Sequence, residues 1–149
     1  MFEATLEIRV EWGHCDPAQI VFNPNYFHWM ESGLHWLFEA AGLSLTGLME
    51  QDPDFRGAPL VRSDATFKAV ARVGDLMSLT TRVVRWGGRS FDLGFRFAVD
   101  GTVVVEATQT RIWGRAVPGE AHRLQAVAVP DHIRDALSRP GRAVLRRAG

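Results

Sequence analysis

The chain opens with strict alternation of apolar and polar residues. Between Phe2 and Trp12, six apolar side chains fall on one face, and three glutamates, a threonine and an arginine fall on the other. A period of two residues is typical of a strand with one buried face. We therefore predict a strand over residues 2–12, which Gly13 is expected to end.

A helical period replaces this alternation after residue 23. Asn23 and Pro24 predict the helix start, with the Asn23 side chain as N-cap and proline at the first helical position. Apolar residues then recur three and four positions apart as far as Ala41. Three further apolar residues widen this face: Phe27, Trp36 and Ala40. So little of the helix remains polar that we expect it to be buried over most of its circumference.

The second half of the sequence is rich in strand patterns. Segment 44–55 predicts one further short helical turn, and turn signals at 87–88 and 100–101 separate longer apolar stretches. Five strands are predicted, over residues 59–69, 76–86, 90–99, 102–113 and 124–129. A terminal helix is predicted over 131–139, and the arginine-rich tail from about residue 139 is expected to be frayed.

This order of elements predicts the fold class. One long apolar helix followed by consecutive strands indicates a two-layer α+β fold. Because the helix is apolar on most sides, we expect an antiparallel sheet wrapped around one long central helix. Helices do not alternate with strands, which argues against a doubly wound parallel fold. The length of 149 residues suits a single domain over 1–149.

Charge and cysteine content narrow the function classes. Seventeen basic and seventeen acidic residues give a formal net charge of zero, and the basic residues do not gather on one strand or helix face. We therefore expect neither a nucleic-acid nor a membrane partner. The single cysteine excludes an intrachain disulfide. No basic, apolar leader pattern precedes the first strand, so the cytoplasm is the expected location.

Asp16 is the first candidate for chemistry. It lies in the predicted loop between the first strand and the helix, too far before Asn23 to cap that helix. One interpretation is an Asx-turn, which the following Pro17 favours. The other is a carboxylate that faces a substrate carbonyl polarised by the helix start. The residue pattern alone leaves both open.

The segment around Asp16 carries a family resemblance. Residues 16–26, Asp-Pro-Ala-Gln-Ile-Val-Phe-Asn-Pro-Asn-Tyr, resemble the acid-Pro-Ala-Gly-Ile-Val…Pro-Asn-Tyr segment of the 4-hydroxybenzoyl-CoA thioesterase family, whose members have the hot-dog fold. The likeness extends to Trp29, to Trp86 with Ser90, and to the Val-Pro-Asp-x-Ile-Arg segment at 129–134. Two departures are Gln19, where the family usually has glycine, and Asn23, where close relatives often have an aromatic residue or histidine.

The resemblance implies hydrolysis of an acyl-CoA to a carboxylate and free CoA. Asp16 would act as nucleophile or as general base on water, and the backbone N–H of Asn23 would bind the oxyanion. Arg89 and Ser90 would contact the CoA nucleotide. Glu31 would lie near the distal end of the acyl group; a solvent-facing glutamate or one paired with a neighbouring histidine is the alternative.

The resemblance also implies an assembly and a substrate preference. It predicts a homodimer with sheets joined edge to edge, often paired into a homotetramer, with acyl-CoA bound at the dimer interface. Pro24 favours an aromatic, 4-hydroxybenzoyl-like acyl group. The expected chemistry uses no cofactor, because coenzyme A is part of the substrate, and no metal. A metal site built from His14, Cys15 and Asp16 with His28 or His35 matches no ligand spacing template.

Other functions remain open at this level. A short- or medium-chain aliphatic acyl-CoA and an acyl-carrier-protein thioester are alternative substrates. A hot-dog dehydratase would need a catalytic histidine in a His…Pro-Gly loop, which the sequence lacks. A non-catalytic acyl-CoA-binding module would keep the fold without the chemistry, although a pure binder has no need of a carboxylate beside a thioester.

Overall fold

A computed structural model describes residues 1–146. Within these residues one short 3-10 turn, three α-helices and seven strands follow in the order β1 (Phe2–Arg9), the 3-10 turn (Trp12–His14), α1 (Pro24–Ala40), α2 (Leu45–Gln51), β2 (Leu60–Phe67), β3 (Leu76–Trp86), β4 (Ser90–Val99), β5 (Thr102–Val117), β6 (Glu120–Val127), α3 (Asp131–Ser138) and β7 (Gly141–Arg146). The strands form one sheet in the order β2-β5-β4-β3-β1-β7, with β6 paired to β5. The predicted α+β architecture, a sheet around one long helix, is confirmed.

Helix α1 packs one continuous face against the sheet. The buried residues recur at the predicted three- and four-residue spacing: Tyr26, Trp29, Met30, Gly33, Leu34, Leu37 and Phe38. Gly33 allows the close approach, because a Cβ there would lie 2.5 Å from Thr81 Oγ1 on β3. The expectation of burial on most sides is wrong for Phe27 and Trp36, which are exposed. The sheet of one protomer covers only one side of a helix.

The first strand is shorter than the alternation predicts. β1 ends at Arg9, and Trp12–His14 forms a 3-10 turn instead of continuing the strand. Val10 still exchanges main-chain hydrogen bonds with the segment before β3, accepting from Gly74 N–H at 2.8 Å and donating to Asp75 O at 2.9 Å. Beyond Val10 the segment before β3 turns away from this strand, so the ladder of main-chain hydrogen bonds cannot continue.

The C-terminal region differs most from expectation. β5 runs four residues past the predicted end at 113, and β6 begins at Glu120 instead of 124. The prediction of a frayed tail is wrong for residues 141–146, because they form β7, which pairs in parallel with β1. Ile133 and Leu137 of α3 are buried in the core and bring the chain back to the open edge of β1, where Leu145 packs against the core. Residues 147–149 of the predicted tail lie outside the described residues.

Two features are absent from residues 1–146. No helix in this part of the chain is long and apolar enough to cross a membrane. No three histidine, cysteine or acidic side chains in it lie close enough together to hold a metal ion.

Candidate active site

Asp16 lies on a small hairpin between β1 and α1. Cys15 and Val21 form an antiparallel bridge across this hairpin. Asp16 closes its tip: its N–H donates to Ile20 O at 3.0 Å, and its carbonyl accepts from Gln19 N–H at 2.9 Å. The hairpin is attached to the segment before β3, because Val21 N–H donates to Ala71 O at 2.9 Å. These main-chain bonds fix the position of the Asp16 side chain.

The carboxylate of Asp16 makes the local hydrogen bond that its sequence favours. Oδ1 accepts from the N–H of Ala18 at 2.8 Å, so the predicted Asx-turn is present. The side chain is half-buried. An Asx-turn uses one carboxylate oxygen and holds the other at a defined place, so the structural interpretation and the chemical one are compatible.

Gln19 adopts a left-handed backbone conformation, which glycine reaches without strain. Its φ is +63°, in the left-handed region that costs an L-residue roughly 1–2 kcal/mol. The departure noted in the sequence is therefore a strained residue within the hairpin that carries Asp16.

Helix α1 begins beside this hairpin, but Asn23 is not its side-chain cap. Asn23 stands at the predicted N-cap position with Pro24 first in the helix, but it has helical backbone angles, φ −51° and ψ −40°, and the predicted side-chain capping hydrogen bond is absent. The polar tether is Asn25 instead, whose Nδ2 donates to His14 O at 2.8 Å. The Phe22 N–H donates to the same carbonyl at 2.9 Å. Helix start and hairpin are thereby joined.

The Asn23 amide is available to a ligand. It is exposed at the positive end of α1, and no acceptor for its N–H lies among residues 1–146. Asp16 and this amide flank the same hydrogen-bonded junction. The pair supplies a carboxylate and a free N–H donor, which are the two groups that attack on a carbonyl requires.

Cys15 is next to Asp16 but is a poor nucleophile. The thiol is half-buried, and burial raises its pKa, as do the charges of Asp16 and Asp75. A raised pKa lowers the thiolate fraction, and the thiolate is the reactive form. This result agrees with a packing role for Cys15.

Glu31 is ion-paired, though not with a histidine. Its carboxylate accepts from Nη2 of Arg111 on β5, whose side chain is only 4% exposed, whereas that of Glu31 is 59% exposed. Arg111 also donates to Gln109 Oε1 and to Ala58 O, the latter at 2.9 Å. Gln109 in turn donates to Ser63 Oγ at 3.2 Å. A buried polar network therefore underlies the helix face that carries Glu31.

Sequence reasoning missed Arg111 and Gln109. Both occupy inward-facing positions of β5, two residues apart and in step with the buried Ala107 and Trp113. The strand period was visible in the sequence, and a charged residue at an inward position of a predicted strand was the available signal.

Arg89 and Ser90 lie in and directly after the turn between β3 and β4. The Gly87 N–H donates to Ser90 O at 2.7 Å. A Cβ at Gly87 would lie 2.7 Å from Ser90 Oγ, so this close approach requires glycine. The Arg89 side chain is exposed. Arg134 of α3 donates to the carbonyls of this turn. It is the last residue of the 129–134 segment, to which sequence reasoning assigned no role.

A single protomer does not bring this turn to Asp16. The hairpin of Asp16 adjoins the segment before Leu76, the first residue of β3, whereas Arg89 follows Trp86, the last. Eleven residues of strand separate the two ends, which is on the order of 30 Å. Asp16 and the Arg89 turn therefore do not form one compact site within a single chain.

Comparisons with known proteins place the chain in a family. Residues 10–137 match the model of the thioesterase-like superfamily. The chain is 30% identical over 137 residues to 4-hydroxybenzoyl-CoA thioesterase of Pseudomonas sp. strain CBS-3, covering 87% of this chain and 94% of that one.

Solved structures give the same result. A 4-hydroxybenzoyl CoA thioesterase with one aspartate replaced by asparagine, complexed with 4-hydroxybenzoyl CoA, superposes with a TM-score of 0.83 at 26% identity, over 91% of this chain and 99% of that one. A gentisyl-coenzyme A thioesterase superposes with a TM-score of 0.75 at 27% identity, over the same shares.

Fold and site together define a hot-dog protein of the thioester-hydrolase class. The chain belongs to the thioesterase-like superfamily. The family, the hot-dog fold and the enzyme class predicted from the sequence are thus confirmed.

Proposed function

We propose that this protein hydrolyses an acyl-CoA thioester to a carboxylate and free CoA. The observation that carries the proposal is the junction of the hairpin and α1, where main-chain hydrogen bonds join the segment that carries the Asp16 carboxylate to the helix start that carries the unpaired Asn23 N–H. The activity of the related 4-hydroxybenzoyl-CoA thioesterase supports it.

Two routes fit an Asp16-dependent reaction. In the first, a carboxylate oxygen attacks the thioester carbonyl, the C–S bond breaks, thiolate leaves, and water then hydrolyses the mixed anhydride. In the second, Asp16 takes a proton from water as the water attacks. In either route the Asn23 N–H donates to the developing oxyanion, a contribution of about 2.7–4 kcal/mol where such donors have been removed from other enzymes. A thiolate leaves readily, so neither route needs a strong acid.

We propose a homodimer with the site at its interface. The separation of Asp16 from the Arg89 turn supports this, because two protomers are needed to contact one substrate. Strand β2 is an edge of the sheet and carries three exposed large apolar side chains, which a pairing partner would cover: Leu60, Val61 and Phe67. The opposite edge, β7, carries two exposed arginines beside the exposed Val144, and charges on an edge strand discourage pairing. Association of two dimers into a homotetramer remains part of the proposal.

An aromatic acyl group is the proposed substrate class. The two relatives described above act on 4-hydroxybenzoyl and gentisyl thioesters, and both acyl groups are hydroxylated aromatic rings. Glu31 supports the same class, because its half-exposed carboxylate can accept a hydrogen bond from a ring hydroxyl while Arg111 holds it. Arg89 and Ser90 would contact the CoA nucleotide.

A panel of acyl-CoA esters, followed by release of free thiol, tests the proposal. We expect hydroxylated aromatic acyl-CoA esters to be cleaved with the highest kcat/KM, ahead of short and medium aliphatic ones. If aliphatic esters are preferred, the proposed aromatic substrate class is wrong, whereas the proposed acyl-CoA hydrolysis is retained. If no CoA ester is cleaved but acyl-carrier-protein thioesters are, CoA is the wrong thiol carrier and the protein is an acyl-carrier-protein thioesterase. If binding occurs without any cleavage, the protein is an acyl-CoA-binding module.

A further inference from the structure

Arg134 is held against the turn between β3 and β4 by the fold of α3. The buried residues Ile133 and Leu137 fix the orientation of this helix. In that orientation Arg134 Nη2 donates to Gly87 O at 2.5 Å and to Gly88 O at 3.1 Å, and its Nε donates to Val129 O at 3.3 Å. One guanidinium therefore binds both carbonyls of the glycine pair and fastens them to the segment that precedes α3.

A second contact holds the same two elements together. The Arg134 guanidinium lies 5.3 Å from the centre of the Trp86 ring, within the range of a cation–π interaction. The Trp86 indole N–H donates to Ser138 Oγ at 3.0 Å. Trp86 is the last residue of β3, so α3 is attached both to the end of the strand and to the turn that follows it.

The turn needs such an attachment because of its composition. Gly87 and Gly88 have no side chains to restrict them, and glycine samples more backbone conformations than any other residue. The hydrogen bond from Gly87 N–H to Ser90 O closes the turn but leaves its two central peptide planes free to rotate. Arg134 fixes both planes.

The orientation of those planes has a consequence for ligands. In a trans peptide the carbonyl and the following N–H point in opposite directions. Because the Gly87 and Gly88 carbonyls point toward Arg134, the N–H groups of Gly88 and Arg89 point away from α3. No acceptor for either N–H lies among residues 1–146. Two consecutive amides without protein acceptors are donors that an anion can accept from.

We propose that Arg134 is a positioning residue that fixes the 87–90 turn so that the Gly88 and Arg89 amides, together with the Arg89 side chain and the Ser90 hydroxyl, face a phosphate of CoA. This rests on the proposed function, which assigns the nucleotide of CoA to Arg89 and Ser90. The Nε and Nη2 donors of Arg134 are occupied by main-chain carbonyls, so the role that we assign to it is to position the turn and not to contact the substrate.

Binding of free CoA and of pantetheine, measured by calorimetry, separates this role from a general effect on the fold. Pantetheine lacks the nucleotide and its phosphates. Arg134→Lys keeps the positive charge but lacks the rigid guanidinium that binds Val129 through Nε and the two glycine carbonyls through Nη2 at the same time, and Arg134→Met removes both charge and donors. We expect Kd for CoA to rise about fivefold to tenfold in both variants, as expected for the loss of one or two hydrogen bonds, with Kd for pantetheine unchanged.

A matched control is Arg123→Met, which removes an exposed arginine that is paired only with Glu120. It should leave both dissociation constants unchanged. In the catalytic assay, the Arg134 variants should raise KM for acyl-CoA and leave kcat within about twofold.

The outcomes distinguish this proposal from the proposed function. If Arg134→Lys binds CoA as the wild type does, or if CoA and pantetheine are weakened equally, the positioning role is wrong even though thioesters are cleaved. If the wild type binds CoA and the variants lose affinity for CoA alone while no thioester is hydrolysed, the role of Arg134 stands and the hydrolase is wrong. A wild type that binds no CoA overturns both.

Discussion

Glu31 on the exposed side of α1 is ion-paired with Arg111, a residue of β5 that is almost completely buried. The asymmetry matters, because the desolvation penalty falls on the cation. Gln109 Oε1 and Ala58 O accept hydrogen bonds from Arg111, which offset part of that desolvation penalty. Glu31 supplies the compensating charge. The helix face that we assign to the acyl group is therefore held by a charge inside the core.

Removal of either partner should destabilise the protein. Glu31→Gln leaves a buried cation without a counterion, and we expect it to cost about 1–3 kcal/mol of unfolding free energy. Arg111→Met leaves the Gln109 and Ala58 oxygens without donors and should cost at least as much. In urea unfolding, the double variant should be no less stable than Arg111→Met alone. Additive losses would contradict the coupling.

Asp16→Asn should abolish turnover and leave the protein folded. The asparagine Oδ1 can still accept from the Ala18 N–H, so the Asx-turn is kept. It can neither attack a thioester nor take a proton from water at a useful rate. Thiol release together with thermal unfolding measures the two effects. A rate above a few per cent of the wild type would rule Asp16 out.

Two controls separate chemistry from turn geometry. Asp16→Ala also removes the Ala18 hydrogen bond, so it should be about 1 kcal/mol less stable than Asp16→Asn while being equally inactive. Asp75→Asn makes the same chemical change in a neighbouring turn, where Oδ2 accepts from Arg72 N–H at 2.8 Å. It should keep the wild-type rate.

Gln19→Gly should stabilise the hairpin that carries Asp16. Glycine removes the left-handed strain at φ +63°, and its larger loss of backbone entropy offsets part of the gain, which leaves up to about 1 kcal/mol. Asp100→Gly is the matched comparison, since Asp100 has φ +48° but aspartate tolerates this region better. Its gain in urea unfolding should be smaller. If the Gln19→Gly variant is less stable than the wild type, the backbone of Gln19 is not strained.

Tyr26 should make stability fall in strongly alkaline solution. Burial raises the pKa of this phenol from 10.0 to about 12. Between these values the unfolded chain has released the proton and the folded chain has not, so the unfolding free energy falls by about 1.4 kcal/mol per pH unit. Below pH 10 this contribution is complete.

Tyr26 is the only tyrosine in the chain, so its ionisation can be followed directly by ultraviolet absorbance. The folded protein should form tyrosinate with a midpoint near 12. The Tyr26→Phe variant should lack the corresponding decline in stability. A midpoint near 10 in the folded protein would contradict burial of the phenol.

Local sequence patterns were sufficient to predict a feature where its residues interact mainly with neighbours along the chain. The spacing of apolar residues in α1 predicted its buried face, and the Asp100-Gly101 pair predicted the turn between β4 and β5, where both residues have positive φ. The Asx-turn at Asp16 followed from its proline neighbour for the same reason, since both partners of that hydrogen bond lie within three residues.

Interactions between distant segments were beyond those patterns. The Asn23 side chain makes no capping bond because its own backbone is already helical, and the side chain that attaches the helix start is Asn25, which bonds His14 in the 3-10 turn eleven residues away. The tail forms β7 only because β1 offers an open edge beside it. Arg111 and Gln109 are buried because Glu31, eighty residues from Arg111 along the chain, supplies the opposing charge.

The sequence by itself determined the family, most of the elements and the short segment that carries Asp16, because these follow from local order along the chain. Tertiary structure alone decided which groups meet. It joins the Asp16 hairpin to the start of α1, attaches Arg134 to the glycine turn, and separates that turn from Asp16 by the length of β3. The reason is that the position of a side chain in space depends on contacts between segments that no local pattern encodes.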